Sequence, residues 1–180
     1  MPVLIVLYFL AVGIVALLAQ MILPQMFPFL EAIGFASALV PLIVVFASLE
    51  LGDERAPILA GILGVALDLV CHDRLGNSAL ILFSLSALIV TQAGRPEAHS
   101  WLFRLTFVLV GTFAFVLMSY ILVLAENFRW TWPLAVWSKI TFASLFNLVI
   151  APPFFYLIGL PPRLLGWRPG HETQERTYAR

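Results

Sequence analysis

The stretch that decides the fold opens the chain: VLIVLYFLAVGIVALLAQMIL, residues 3–23, contains no charged side chain. At about 1.5 Å of rise per residue, a helix of this length measures roughly 31 Å, which matches the hydrocarbon core of a bilayer. A cleavable signal peptide begins with a basic segment, whereas here no Lys or Arg precedes Arg55. We therefore expect residues 3–23 to form a retained first transmembrane helix.

The composition of the whole chain agrees with this expectation. Of the 180 residues, 62% are hydrophobic and 11% are charged, against about 45–50% and about 25% in soluble domains. A soluble fold of this size could not hide so much apolar surface from water. The formal net charge is zero, so the charge balance gives no indication of a nucleic-acid partner. The single cysteine, Cys71, excludes an intrachain disulfide.

The apolar runs predict an all-α integral membrane protein, a bundle of about six transmembrane helices within residues 1–162. The expected spans are residues 3–23, 35–51, 57–71, 78–91, 101–125 and 133–160, followed by a polar cytoplasmic tail, 163–180. The third and fourth runs are short, so re-entrant segments are an alternative for them. A five-span arrangement would place one terminus on the other side of the membrane.

Positive charges predict the orientation of the six spans. With the N-terminus in the cytoplasm, the inside segments hold Arg55, Arg95, Arg104, Arg163, Arg168, Arg176 and Arg180. The outside turns then hold Arg74, Arg129 and Lys139. Because cytoplasmic loops are enriched in Lys and Arg, this distribution favours two cytoplasmic termini.

The segment GILGVALDLVCHDRLG, residues 61–76, has the highest density of candidate functional residues. Gly61, Gly64 and Asp68 are spaced so that they share one helix face, and small residues there allow close approach of a second helix. An aspartate within a span is unfavourable unless it faces protein or water. The segment is therefore either a packing and partner-binding face, or the end of a helix whose Asp68 reaches headgroup water.

Other chemistry has weaker support in the sequence. His72 and Asp73 are adjacent, but a metal site needs three or four ligands and no further His or Cys lies at ligand spacing. Asn147 is expected to be an interhelical hydrogen-bond donor and not a substrate ligand. Four span serines lack a nearby histidine and are expected to bond to carbonyls of their own helices: Ser84, Ser86, Ser119 and Ser144. We expect no catalytic residue, metal or cofactor.

Several short motifs together resemble those of one bacterial family. Residues 60–88 combine Gly61, Gly64 and Asp68 with Leu75-Gly76 and a following apolar run. Glu126 closes the fifth run, and the sixth contains Asn147 followed by Pro152-Pro153-Phe154-Phe155. In these features and in length the chain resembles the rod shape-determining protein MreD. The chain departs from the family in its second span. In the family this span usually opens with Pro and a polar residue, whereas here Pro41 lies several residues into the run.

The resemblance implies a non-enzymatic scaffold of the cell-elongation complex in the bacterial cytoplasmic (inner) membrane. The implied partner is MreC, with RodA, a class B penicillin-binding protein and, indirectly, MreB in the same assembly that controls cell shape and lateral peptidoglycan synthesis. It also implies a fold similar to the substrate-binding subunits of ECF vitamin transporters, so a small-molecule-binding subunit of such a transporter is the alternative function. The candidate partner-interface residues are Gly61, Gly64, Asp68, Arg74, Leu75, Gly76, Glu126 and Asn147.

Overall fold

The computed structural model describes residues 2–27, 39–71, 75–93, 100–127 and 134–164, and all the regular structure in these segments is α-helical. Six helices follow one another along the chain. They are α1 (Pro2–Met26), α2 (Leu39–Leu51), α3 (Arg55–Cys71), α4 (Asn77–Ala93), α5 (Trp101–Asn127) and α6 (Leu134–Leu164).

Helix α2 lies at the centre of the bundle and contacts each of the other five helices. The neighbours around it contact one another in the order α1, α3, α4, α5 and α6. Between α6 and α1 the Tyr8 hydroxyl donates a 2.9 Å hydrogen bond to the Ile158 carbonyl oxygen. Since Tyr8 lies near the start of α1 and Ile158 near the end of α6, these two helix ends lie at the same end of the bundle.

The burial of α2 explains its sequence. The twelve residues from Leu39 to Glu50 are all buried, and a helix surrounded by protein is expected to be apolar on every side. Its 13 residues span about 20 Å, less than the thickness of a hydrocarbon core. Because longer helices enclose it, α2 need not cover that thickness itself.

The outer surface of the bundle is apolar. Among the described residues, three helices are long and apolar enough to cross a membrane, namely α1, α5 and α6, while α2 and α4 are shorter apolar helices. Large hydrophobic side chains are exposed on several helices, among them Leu102 at 79% and Val149 at 74%. Such a surface is unsuited to water, and the prediction of an all-α integral membrane protein is confirmed.

A row of aromatic rings joins four helices at the end of the bundle where α1 begins. Phe9 of α1 packs edge-on against Phe46 of α2, with ring centroids 5.9 Å apart. Phe46 stacks on Phe155 of α6 at 4.5 Å, and Phe155 lies 6.5 Å from Trp101 of α5. Aromatic pairs at these separations stabilise the packing beyond their buried area.

Each of the six predicted spans overlaps one helix of the structure. Residues 35–38 of the second span, residue 133 of the sixth span and residues 165–180 of the tail lie outside the described residues. The six-span domain with its cytoplasmic tail stays a prediction, and so does the likeness to vitamin-transporter subunits.

Candidate functional site

Asp68 lies in the last turn of α3 and holds the beginning of α4. Its Oδ2 accepts a 2.7 Å hydrogen bond from the Gly76 amide, and its Oδ1 accepts one of 3.0 Å from the Ser78 amide. The first amides of a helix have no partner within that helix, and an anion is stabilised near its positive end. Asp68 therefore acts as an N-terminal cap supplied by the preceding helix. Its side chain is fully buried, which excludes the alternative that it reaches headgroup water.

Gly64 allows α3 and α4 to touch backbone to backbone. A Cβ atom at this position would lie 2.4 Å from the Ala79 Cα and 2.6 Å from the Ala79 nitrogen. No side chain fits in such a gap, so the contact requires glycine. The turn that follows α3 also depends on glycine, since Gly76 has a φ of 103°, in a region that other residues rarely adopt.

The exposed side of α3 is continuous and apolar. Ile58, Ile62, Val65 and Leu69 repeat at helical spacing and are all exposed; we refer to these four residues as the α3 outer stripe. Gly61 is half-buried at its edge, where an added Cβ would meet only the Phe83 ring at an ordinary 3.7 Å.

A buried ion pair closes the opposite end of the bundle. Arg104 Nη1 of α5 lies 2.7 Å from Glu50 Oε1 of α2, with 12% and 6% of the two side chains exposed. Sequence reasoning did not find this pair. Glu50 and Arg104 have opposite charges and lie on the same predicted side of the membrane, and these two features could have indicated the pair.

Polar side chains in the middle of the bundle pair across helices. Asn147 Nδ2 of α6 donates a 2.8 Å hydrogen bond to Thr112 Oγ1 of α5, and both residues are fully buried. The prediction that Asn147 is an interhelical donor is therefore confirmed.

The hydrogen bonds of three of the four span serines are of two kinds. Ser119 and Ser144 donate to the carbonyl oxygens four residues before them, at 2.8 Å each, as predicted. For Ser86 the prediction was wrong as to the partner, because its Oγ lies 2.7 Å from Ser48 Oγ of α2. The Ser48 hydroxyl is also bonded to the Val44 carbonyl at 2.6 Å. The contact between α2 and α4 brings these two hydroxyls together.

The model of one protein family, described as rod shape-determining protein MreD, matches residues 3–160. The chain belongs to the MreD family. Comparison with curated proteins and with solved structures finds no match. Membership of this family makes the chain a cell-shape-related, multi-pass membrane protein.

The residues that suggested the MreD family occupy different environments in the structure. Gly64, Asp68 and Asn147 are buried in contacts within the chain, whereas Leu75 is 67% exposed and Gly76 is half-buried. The structure thus joins Gly64, Asp68 and Gly76 at one junction, and Asn147 lies apart from it.

Two candidate residues cannot be placed. Arg74 lies outside the described residues, as do His72 and Asp73, and the side chain of Glu126 is likewise not described. Over the segments that are described, no three His, Cys, Asp or Glu side chains come together as a metal site would require. The role of all eight candidates in binding a partner stays a prediction.

Proposed function

We propose that this MreD-family protein is a non-enzymatic scaffold of the cell-elongation complex, which binds MreC within the cytoplasmic membrane. Through MreC it would associate with RodA and a class B penicillin-binding protein, and indirectly with MreB, to help control cell shape and lateral peptidoglycan synthesis. The observation that supports this proposal is the family match over residues 3–160.

The internal hydrogen bonds are consistent with a scaffold. Asp68, Ser86 and Asn147 each bond to another part of the same chain, at distances of 2.7 to 3.0 Å. Paired in this way, these groups stabilise the packing of helices in a medium that offers no water. The faces left for other molecules among the described helices are then chiefly apolar.

The α3 outer stripe is the face that we assign to the partner. Its four apolar side chains lie on a helix held rigidly against α4 by Gly64 and Asp68. Gly61 at its edge offers a small residue of the kind that permits close helix approach. Leu75, exposed just beyond α3, extends this surface toward the predicted periplasmic side.

The orientation proposed is the one with both termini in the cytoplasm. The Tyr8–Ile158 hydrogen bond supports it, because it keeps the start of α1 and the end of α6 on one side. With both termini in the cytoplasm, most of the arginines lie on the cytoplasmic side, as the enrichment of Lys and Arg in cytoplasmic loops predicts.

Co-purification in mild detergent tests the proposal. The tagged chain is expressed with MreC, and we expect MreC to be retained by the wild type. Val65→Trp adds bulk to the α3 outer stripe and should reduce the retained MreC several-fold, with unchanged yield of the chain. Val149→Trp, on the exposed face of α6, is the matched control and should retain MreC.

Each outcome bears on a different part of the proposal. Failure of the wild type to retain MreC would count against the scaffold. Equal retention by both tryptophan variants would leave the scaffold in place but remove the α3 outer stripe as its contact. Detection of a vitamin in the purified protein by mass spectrometry would instead favour the transporter-subunit alternative.

A further inference from the structure

A cavity of about 210 Å³ lies between α1 and α3, at the end of the bundle where both helices end. Its lining is almost entirely apolar and includes Leu17, Gln20 and Met21 of α1 and Leu67, Val70 and Cys71 of α3. The apolar lining suits a flexible hydrocarbon chain.

Gln20 contributes the polar group of this cavity. Its side chain is 5% exposed, and its Oε1 accepts a 3.3 Å hydrogen bond from the Val40 amide at the start of α2. The Nε2 group makes no hydrogen bond within the part of the chain that the structure describes, although the residue lines the cavity. An amide donor held in apolar surroundings is unfavourable without an acceptor.

The position of the cavity indicates where that acceptor comes from. Cys71 is the last residue of α3, and the polar sequence His72-Asp73-Arg74 follows it. Gln20 lies six residues before the end of α1, about 9 Å along the helix axis. With the predicted spans ending at residues 23 and 71, the cavity lies at the boundary between the hydrocarbon core and the headgroup region, which is where the ester carbonyls of phospholipids lie.

We infer that this cavity holds the upper part of one acyl chain of a membrane glycerophospholipid. The Gln20 Nε2 group donates a hydrogen bond to the ester carbonyl oxygen, and the first methylene groups of the chain pack against Leu17, Leu67 and Val70. The lipid completes the hydrogen bonding of a residue that also caps α2, so it would fix the position of α1 on α3. This inference does not depend on the proposed scaffold function.

Lipids with and without an ester carbonyl distinguish this hydrogen bond from general hydrophobic adhesion. The delipidated protein in detergent is titrated with a diester phosphatidylglycerol and with its diether analogue, and bound lipid is measured by native mass spectrometry. The wild type should bind the diester about three- to ten-fold more tightly, the range for one hydrogen bond. Equal binding of the two lipids by the wild type would overturn the inference.

Two variants test whether the preference for the diester lipid depends on Gln20. Gln20→Glu keeps an oxygen acceptor for the Val40 amide but removes the donor, so the preference for the diester should disappear. Ser84→Ala, in the separate groove between α4 and α5, should leave the preference unchanged. A diester preference that survives Gln20→Glu, or that is lost in Ser84→Ala, would contradict the assignment.

Cys71 provides a second measurement that does not depend on a variant at Gln20. It is the single cysteine of the chain and is exposed beside the cavity. Diester lipid should slow the reaction of its thiol with a maleimide more than diether lipid does at the same concentration. Equal rates with the two lipids would argue against occupation of this cavity.

Discussion

Arg104 Nη1 donates a 2.7 Å hydrogen bond to Glu50 Oε1, which ties the end of α2 to the first turn of α5. Each charge alone is at the less favourable end of its helix, since a helix C-terminus repels an anion and an N-terminus repels a cation. Both side chains are nearly buried, so solvent screens neither of them well. The pair therefore offsets two unfavourable placements at once and joins the central helix to the outer ring.

Breaking this pair from one side should destabilise the protein strongly. In Glu50→Leu, Arg104 remains as a buried unpaired cation, and removal of one partner of such a pair costs about 3–5 kcal/mol. The double variant Glu50→Leu/Arg104→Met should recover most of that loss, because it leaves no charge behind. The melting temperatures of the wild type, Glu50→Leu and the double variant are measured in detergent, with size-exclusion chromatography as the monitor of folded protein. A double variant no more stable than Glu50→Leu would contradict this account.

Replacement of Gly64 should separate α3 from α4. Gly64→Ala places a methyl group within 2.6 Å of two backbone atoms of Ala79, and backbone cannot move aside as a side chain can. We expect a loss of about 1–3 kcal/mol, although alanine is the better helix former. Gly61→Ala is the matched control on the same helix, since its methyl group would make an ordinary contact with Phe83. Equal melting temperatures for the two variants would show that the α3–α4 contact is looser than described.

Asp68 should matter for folding before it matters for partner binding. Asp68→Ala leaves the half-buried amide of Gly76 and the buried amide of Ser78 without an acceptor. Leaving a buried amide unpaired costs about 1–3 kcal/mol. Asp68→Asn keeps one carbonyl oxygen and should be intermediate in thermal stability. If Asp68 acts only within the chain, any loss of retained MreC should follow the loss of folded protein. Reduced MreC with unchanged stability in Asp68→Asn would indicate direct contact with the partner.

The sequence was sufficient to predict the six helices, because an apolar run of helical length has few alternatives in a membrane. The spacing of Gly61, Gly64 and Asp68 also indicated close helix packing. It could not tell whether the second helix belonged to this chain or to a partner. The structure places Gly64 against Ala79 of α4, so the second helix belongs to this chain, and the short connection between α3 and α4 is typical of such antiparallel neighbours.

Contacts between residues that are distant in the sequence could not be predicted from the spacing of residues along one helix. Glu50 and Arg104 are 54 residues apart, and Ser48 and Ser86 are 38 apart. No periodicity links residues on different helices, and their contact depends on which helices surround α2. The role of Gln20 could not be predicted for another reason. The sequence shows one amide side chain in an apolar run, but it does not show whether the oxygen, the nitrogen or both are hydrogen-bonded.

The orientation of the bundle can be tested with two proteins that each carry one exposed cysteine, placed on opposite predicted sides of the membrane. Cys71 ends α3 and is exposed, and the proposed topology places it on the periplasmic face. Ser100, exposed just before α5, is placed on the cytoplasmic face. In intact cells with a permeabilised outer membrane, a membrane-impermeant maleimide should label the wild type at Cys71. The variant Cys71→Ser/Ser100→Cys should be labelled only after the inner membrane is opened. The reverse pattern would place the termini outside, and labelling of both proteins in closed cells would contradict an antiparallel passage from α3 through α4.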